Sequence, residues 1–203
     1  MVKRGVMTDK EIFKRTFDII SISLFLIPMG PVILVIMGVL KIVYRQNIFF
    51  LQERIGKDGK SFKMIKFRTM VEGAVNKGKG IFVEENDKRI TPIGHILRKF
   101  SLDELPQLIN VLKGEMSIIG PRPPLTNYPY KYDDYPPEAK KRFLVKPGLT
   151  GLAQVMGRKE LDWKERFPFD SEYASKYSFW MDVIILLKSI LVVIKSDNVY
   201  GRQ

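Results

Sequence analysis

The chain contains no cysteine and a single histidine, His95, among its 203 residues. The first absence excludes disulfides, thiolate metal sites and a cysteine nucleophile. The second excludes a multi-histidine zinc site and leaves a Ser-His-Asp triad only if all of it runs through one side chain. Within "TPIGHILRKF" that histidine reads as a structural or surface residue rather than a catalyst. Acidic residues are scarce: 22 Asp and Glu face 34 Lys and Arg, a formal net charge of +12. Such an imbalance points to a polyanionic partner, which includes nucleic acid, anionic lipid and phosphorylated substrates. Covalent or acid-base chemistry must therefore rest mainly on carboxylates, lysines or tyrosines. The length suits one domain with a real core, with room for an appendage.

Ile19–Leu40 runs for 22 residues without a charge. At about 1.5 Å per helical residue it is long enough to cross a bilayer. A single spanning anchor is the simplest reading. Pro28 and Pro31 stand against it, because each removes a backbone donor and kinks a helix. The flanks add a second objection: Lys3, Arg4, Lys10, Lys14 and Arg15 precede the segment, and Lys41 and Arg45 follow it. Positive charge favours the cytoplasmic side. A kinked hairpin that enters and leaves the same leaflet puts both basic ends there. Re-entrant and spanning arrangements both satisfy the residues. A cleavable signal peptide does not, since no Ala-x-Ala-like site follows.

Beyond this segment, "NIFFLQERIG" and "KSFKMIKFRTM" alternate apolar and polar residues around "KDGK" and predict a β-hairpin within 44–70. Residues 71–90 read as a polar loop. Thr91 and Pro92 predict the N-cap and first position of a short helix. A second helix is expected over 101–113. Residues 121–137, crowded with proline and tyrosine, predict ordered irregular chain. "KPGLTGLAQVMGR" reads as a glycine-rich loop or strand, its Gly148, Gly151 and Gly157 marking tight turns. Residues 177–195 predict an apolar helix of the core or of the membrane interface, where Phe179 and Trp180 serve as core or as anchors.

Asp103 and Glu104 stand side by side in "SLDELPQLINVLKGEMSIIGPRP". Ser101 and Glu104 match a capping box, which any helix could use. The same physics supports a functional reading, because a helix start favours ionised carboxylate and attracts phosphate. Arg98 lies five residues upstream of Asp103. Arg122 follows on a stiff Pro-Arg-Pro turn suited to bidentate phosphate contact. Lys66 and Arg68 add positive charge. Acids ringed by arginines suggest Mg²⁺ plus a diphosphate, with one carboxylate on the metal and the other as nucleophile or base.

Together with "FKRTFDII", "GPVIL", "KFRTM" and "KPGLTGLAQVMGR", this block resembles the bacterial sugar transferases, the monotopic polyprenyl-phosphate phosphoglycosyl transferases. The resemblance covers most of residues 12–195. It implies transfer of a phosphosugar from a UDP-sugar to polyprenyl (undecaprenyl) phosphate with release of UMP, at the cytoplasmic face of the bacterial inner membrane. It implies that Asp103 attacks the β-phosphate, binds Mg²⁺ with the diphosphate and carries a covalent phosphosugar, with Glu104 assisting. Arg98, Arg122, Lys66 and Arg68 match phosphate-side basic positions. Gln154 and Arg158 are candidate sugar or nucleotide ligands. Pro31 matches the helix-breaking proline of a re-entrant membrane segment, and Pro28 is an additional one. Asp170 and Asp182 match acidic positions without an assigned role.

The implied architecture is α+β: a re-entrant membrane segment at 1–43, then a mainly helical catalytic domain at 44–203 with a small β-hairpin and interfacial amphipathic helices. "QVMGR", "KELDW" and "PRPPLTNY" depart from familiar members, which leaves sugar identity open. Monomer and homodimer both fit the sequence. The rival class is a membrane-anchored basic protein that binds anionic lipid or nucleic acid without catalysis. Against it, the sequence carries no recognisable nucleic-acid motif, and its arginines gather around acids rather than aromatics.

Overall fold

The computed structural model describes residues 8–74, 87–157 and 161–194. Helix α1 runs from Asp9 to Tyr44. Thr8 caps it reciprocally with Glu11, and Arg45 closes it in the left-handed conformation, its N–H donating to the Lys41 carbonyl. Pro28 and Pro31 lie inside this helix. Neither has an N–H, so the Leu24 and Ile27 carbonyls lose their helical donors. The prolines occupy an exposed part of it: Ile27 and Leu34 are 75% and 68% exposed.

Both flanks of the prolines pack on the same body. Ile22 is buried with Met64, Val111, Met116 and Tyr173. Leu40 is buried with Ile48, Phe67 and Leu97. Polar contacts reinforce each end. Arg15 donates to the Val111 and Leu112 carbonyls, Asp18 accepts from Ser117 Oγ and the Ile118 N–H, and the Tyr44 and Thr91 hydroxyls lie 2.6 Å apart.

Strands β1 (Phe49–Ile55) and β2 (Ser61–Phe67) pair antiparallel, with Phe49 opposite Phe67 and Ile55 opposite Ser61. Lys57–Gly59 form the turn, as the alternation predicts. Gly59 adopts φ +76, and a Cβ there would meet the Tyr132 ring at 2.7 Å, so the turn packs where only glycine fits. Helix α2 (Pro92–Lys99) starts as expected, with Thr91 Oγ1 accepting from the Gly94 N–H.

The helix expected over 101–113 is broken in two. Leu102–Glu104 form a 3₁₀ turn, and helix α3 begins only at Gln107–Lys113. Pro106 cannot donate to the Leu102 carbonyl, which accepts from the Leu105 N–H instead. Ser101 is left-handed, with φ +54, and makes no side-chain cap. The capping box therefore does not form.

Strand β3 (Ser117–Ile119) pairs parallel with β4 (Gly148–Thr150). β4 lies in the stretch read as loop or strand, whereas β3 and the pairing of the two were not expected from sequence. Three glycines let the two backbones touch. A Cβ on Gly148 would sit 2.1 Å from the Gly120 nitrogen, and one on Gly151 would sit 2.1 Å from the Gly120 oxygen. The segment after β3 is irregular apart from the 3₁₀ turn Tyr132–Asp134, as its prolines predict. Helix α4 (Pro137–Lys140) and the 3₁₀ turn Lys141–Leu144 precede β4. Helices α5 (Leu152–Gly157), α6 (Trp163–Lys176) and α7 (Phe179–Ile194) complete the chain. α5 occupies the stretch read as loop or strand, and α7 meets its prediction. Most of the 71–90 loop and Arg158 lie outside the described residues.

Asn110 is the polar rivet of the core. It is fully buried; its Oδ1 accepts from the Ile65 N–H at 3.0 Å, and its Nδ2 donates to the Lys63 carbonyl at 2.8 Å. Asn110→Leu leaves a β2 donor and acceptor without these partners and is expected to destabilise the fold by about 2–4 kcal/mol. Thermal melting in detergent checks this; an unchanged midpoint would remove Asn110 from the stabilising contacts.

Candidate active site

Five segments place charge around Asp103 and Glu104. The 3₁₀ turn presents both acids immediately after the left-handed Ser101. β2 contributes Lys66, whose Nζ lies 2.8 Å from Glu104 Oε1. The loop after β3 contributes Arg122, whose Nη2 lies 3.1 Å from the same oxygen. The end of α2 contributes Arg98, with Nε donating to Thr69 Oγ1 at 2.8 Å. β1 contributes Arg54, whose Nη1 donates to the Pro123 carbonyl at 3.0 Å and whose Nη2 donates to Gln52 Oε1 at 2.6 Å.

The two adjacent carboxylates live in different environments. Burial opposes ionisation of Glu104, but Lys66 and Arg122 outweigh it and hold its carboxyl far below the ordinary range. Asp103 is 9% exposed and accepts no hydrogen bond among the described residues. Burial pushes its carboxyl up, the charge of Glu104 adds to the rise, and Lys66, Arg98 and Arg122 pull against it. Glu104 is thus an occupied anion, and Asp103 is a buried acid whose oxygens remain available.

A further layer lies beneath Arg122. Arg142 Nη2 donates to the Arg122 carbonyl at 2.7 Å and lies 2.9 Å from Asp170 Oδ2. Burial pushes the Asp170 carboxyl up to about 6, although Arg142 and Arg166 oppose it. Burial, aided by Arg122, brings Arg54 down to about 9 and Arg166 down to about 10. Lys66, Arg54, Arg98, Arg122, Arg142 and Arg166 make six cations against three carboxylates, Asp103, Glu104 and Asp170. An excess of this kind in one place is an anion-binding arrangement.

The structure therefore brings together Asp103, Glu104, Arg98, Arg122 and Lys66. It does not bring Arg68 to the acids, because that guanidinium lies over the Tyr44 ring, 5.9 Å from its centre. Gln154 sits on α5, its amide nitrogen and oxygen both buried without a hydrogen bond among the described residues. Asp182 is structural: it lies 2.5 Å from Lys14 Nζ and accepts from the Tyr173 hydroxyl at 2.7 Å. Sequence reasoning missed Arg54, Arg142 and Arg166, which sit in no motif and have partners distant along the chain. Among the described residues, no three Asp, Glu or His side chains gather as a metal site.

Comparison with known proteins agrees with this geometry. Residues 9–196 match the family described as bacterial sugar transferase. The chain is 38% identical to the exopolysaccharide production protein ExoY of Rhizobium meliloti, over 92% of this chain and 88% of that protein. It is 42% identical to the UDP-glucose:undecaprenyl-phosphate glucose-1-phosphate transferase of Klebsiella pneumoniae, over 88% of this chain and 39% of that one. It is 37% identical to the undecaprenyl-phosphate galactose phosphotransferase of Salmonella typhimurium, over 95% and 42% respectively. The chain thus matches less than half the length of the last two relatives. A match over nearly the whole chain places this protein in the bacterial sugar transferase family of sugar-phosphate transferases.

Proposed function

We propose that the chain transfers a phosphosugar from a UDP-sugar to undecaprenyl or a related polyprenyl phosphate, through a covalent intermediate on Asp103, to begin surface-glycan assembly. The observation that carries this reading is Asp103: a buried carboxylate without hydrogen bonds, beside a Glu104 already held by two cations. In the first step an Asp103 oxygen forms a bond to the β-phosphorus of the UDP-sugar. The bond from that phosphorus to the bridging oxygen breaks, and UMP leaves with the electron pair. In the second step a phosphate oxygen of the lipid forms a bond to the same phosphorus and Asp103 departs as a carboxylate. The products are polyprenyl-diphosphate-sugar and UMP.

Arg122, Lys66 and Arg98 stabilise charge on the phosphoryl oxygens, with Arg54 and Arg166 adding positive potential. Glu104 orients Lys66 and Arg122, and those two cations receive the approaching lipid phosphate group. Gln154, with unused hydrogen-bonding capacity, is assigned to sugar or nucleotide, and Arg158 follows on the same segment. The donor set fits Mg²⁺, which is commonly bound through one or two carboxylates plus substrate phosphates and water. Asp103 would hold the ion together with the diphosphate, and the ion supplies Lewis-acid polarisation of that diphosphate.

The membrane reading is re-entrant, on the cytoplasmic face of the inner membrane. Near its start, α1 is tied to the body by the Glu11–Lys57 ion pair, and at its end by Tyr44 and Thr91. α1 is one continuous helix rather than a hairpin of two, and these ties at both of its ends support entry and exit on the same side of the bilayer. Exposed Ile96, Phe100, Ile109 and Leu112 on and beside α2 and α3, with Trp180 and Leu187 on α7, supply an apolar surface for the interface.

Three outcomes test this reading. Intact mass after mixing with Mg²⁺ and a panel of UDP-sugars, without lipid, is expected to show a phosphosugar adduct with one UMP released, absent in Asp103→Asn. UMP release only when lipid is added would replace the covalent step by direct transfer. No release under either condition would leave a binding protein.

The Asp103 pKa is higher in the folded chain than in the unfolded one. The favourable contribution is present below the unfolded value and lost as pH rises through the folded value, so ionised Asp103 costs stability at neutral pH. Asp103→Asn removes that cost and is expected to melt at or above the wild-type temperature while inactive. A substantially lower midpoint would contradict the buried, hydrogen-bond-free carboxylate.

The attacking form is ionised, so kcat/KM for UDP-sugar falls as pH drops through the raised Asp103 pKa. Lys66 is the strongest cation opposing that rise. Lys66→Met is expected to move the acid limb to higher pH as well as weaken substrate binding. A limb that stays in place would exclude Lys66 as the partner of Asp103.

A further inference from the structure

Arg142 is among the largest fully buried side chains of the molecule. Its guanidinium carbon lies 5.6, 5.3 and 5.6 Å from the ring centres of Phe143, Trp163 and Phe167. Asp170, equally buried, faces it at 2.9 Å. A guanidinium caged by three rings and one carboxylate has little freedom to move. Its Nη2 also reaches outward and donates to the carbonyl of Arg122. Arg54, on β1, donates to the next carbonyl, that of Pro123.

The loop is restrained at every other joint. Pro121 and Pro123 fix their own φ angles. Gly120 donates to the Thr150 carbonyl at 2.8 Å, and Gly148 donates to that of Pro121 at 3.0 Å. The orientation of the two following peptide planes is what the arginines hold. A buried ion pair adds little stability compared with apolar residues of the same volume. Stability therefore does not account for Arg142 and Asp170 beneath this loop, and geometry does.

We propose that Arg142, clamped by Asp170 and seconded by Arg54, is a positioning residue that fixes the Arg122 guanidinium for the substrate diphosphate. This rests on the reading above that Arg122 contacts phosphate. Arg142 lies behind the loop and acts through the Arg122 backbone, not on the substrate.

Replacing Arg142 alone would strand the buried Asp170 charge and could unfold the chain. The pair is therefore removed together, as Arg142→Met with Asp170→Leu, in the full-length protein in detergent. UDP affinity is read by calorimetry, and KM and kcat by UMP release. The expected result is a melting temperature within a few degrees of wild type. UDP affinity is expected to weaken, and UDP-sugar KM to rise, by about tenfold, or ~1.4 kcal/mol, with the polyprenyl phosphate KM unmoved. In an Arg122→Ala background the same replacement is expected to cost less than about twofold, since its effect runs through Arg122.

Equal losses in both backgrounds, or no loss in the first, would overturn the proposal. Arg142→Lys supplies the second variant. It keeps a charge opposite Asp170 but lacks the planar guanidinium whose Nη2 meets both Asp170 and the Arg122 carbonyl, and it is expected to raise KM severalfold only when Arg122 is present. A wild-type protein that binds no UDP would bring down the phosphotransfer reading and this proposal with it. UDP binding with additive losses would remove the positioning role alone.

Discussion

A single oxygen, Oε1 of Glu104, receives both the Lys66 ammonium and the Arg122 guanidinium. Those two groups arrive from different parts of the fold, one on a strand of the hairpin and one on the loop that leaves β3. The relative placement of the 3₁₀ turn, the hairpin and that loop must satisfy this junction at once. Much of the surrounding architecture reads as support for it. Asn110 binds α3 to β2, and the backbone contacts of Gly120, Gly148 and Gly151 set the point from which the Pro-Arg-Pro loop departs.

The junction also separates the roles of two neighbouring acids. Glu104 gathers the cations and stays ionised. Asp103, one residue away, is desolvated without donors among the described residues, so its charged form is less well stabilised. A carboxylate in water is a weak nucleophile because solvent stabilises it. Burial without hydrogen bonds raises its reactivity at a cost in stability, and the surrounding cations keep that cost tolerable. The excess of cations is itself unfavourable until an anion arrives, and Arg122 adds to the burial that lowers the Arg54 pKa. Any anion entering the site would relieve that repulsion as it binds.

The central residues were legible because they crowd into short motifs. Arg98, Asp103, Glu104 and Arg122 span a few turns of chain, and the alternation around "KDGK" marks the strand that carries Lys66. Thr91 and Pro92 announced their helix through local chemistry, which a sequence displays directly. The capping box at Ser101 and Glu104 misled for the same reason. The local pattern was present, but Pro106 interrupts the helix and Glu104 finds stronger partners far away. Arg54, Arg142 and Arg166 were illegible because a buried arginine differs from a surface one only through its tertiary partners. β3 and β4, three residues each, are too short for periodicity to register. Arg68 shows the converse, since a basic residue two positions from Lys66 points to the end of α1 instead.

Helix α1 has a role that its apolar composition hides. Ile22 and Leu40 are buried to 1% and 0% exposure within the body, and Arg15 and Asp18 serve as capping groups for α3 and β3. Deleting the helix to obtain a water-soluble fragment would open two cavities and strip these caps. Anchor and core therefore form one folding unit.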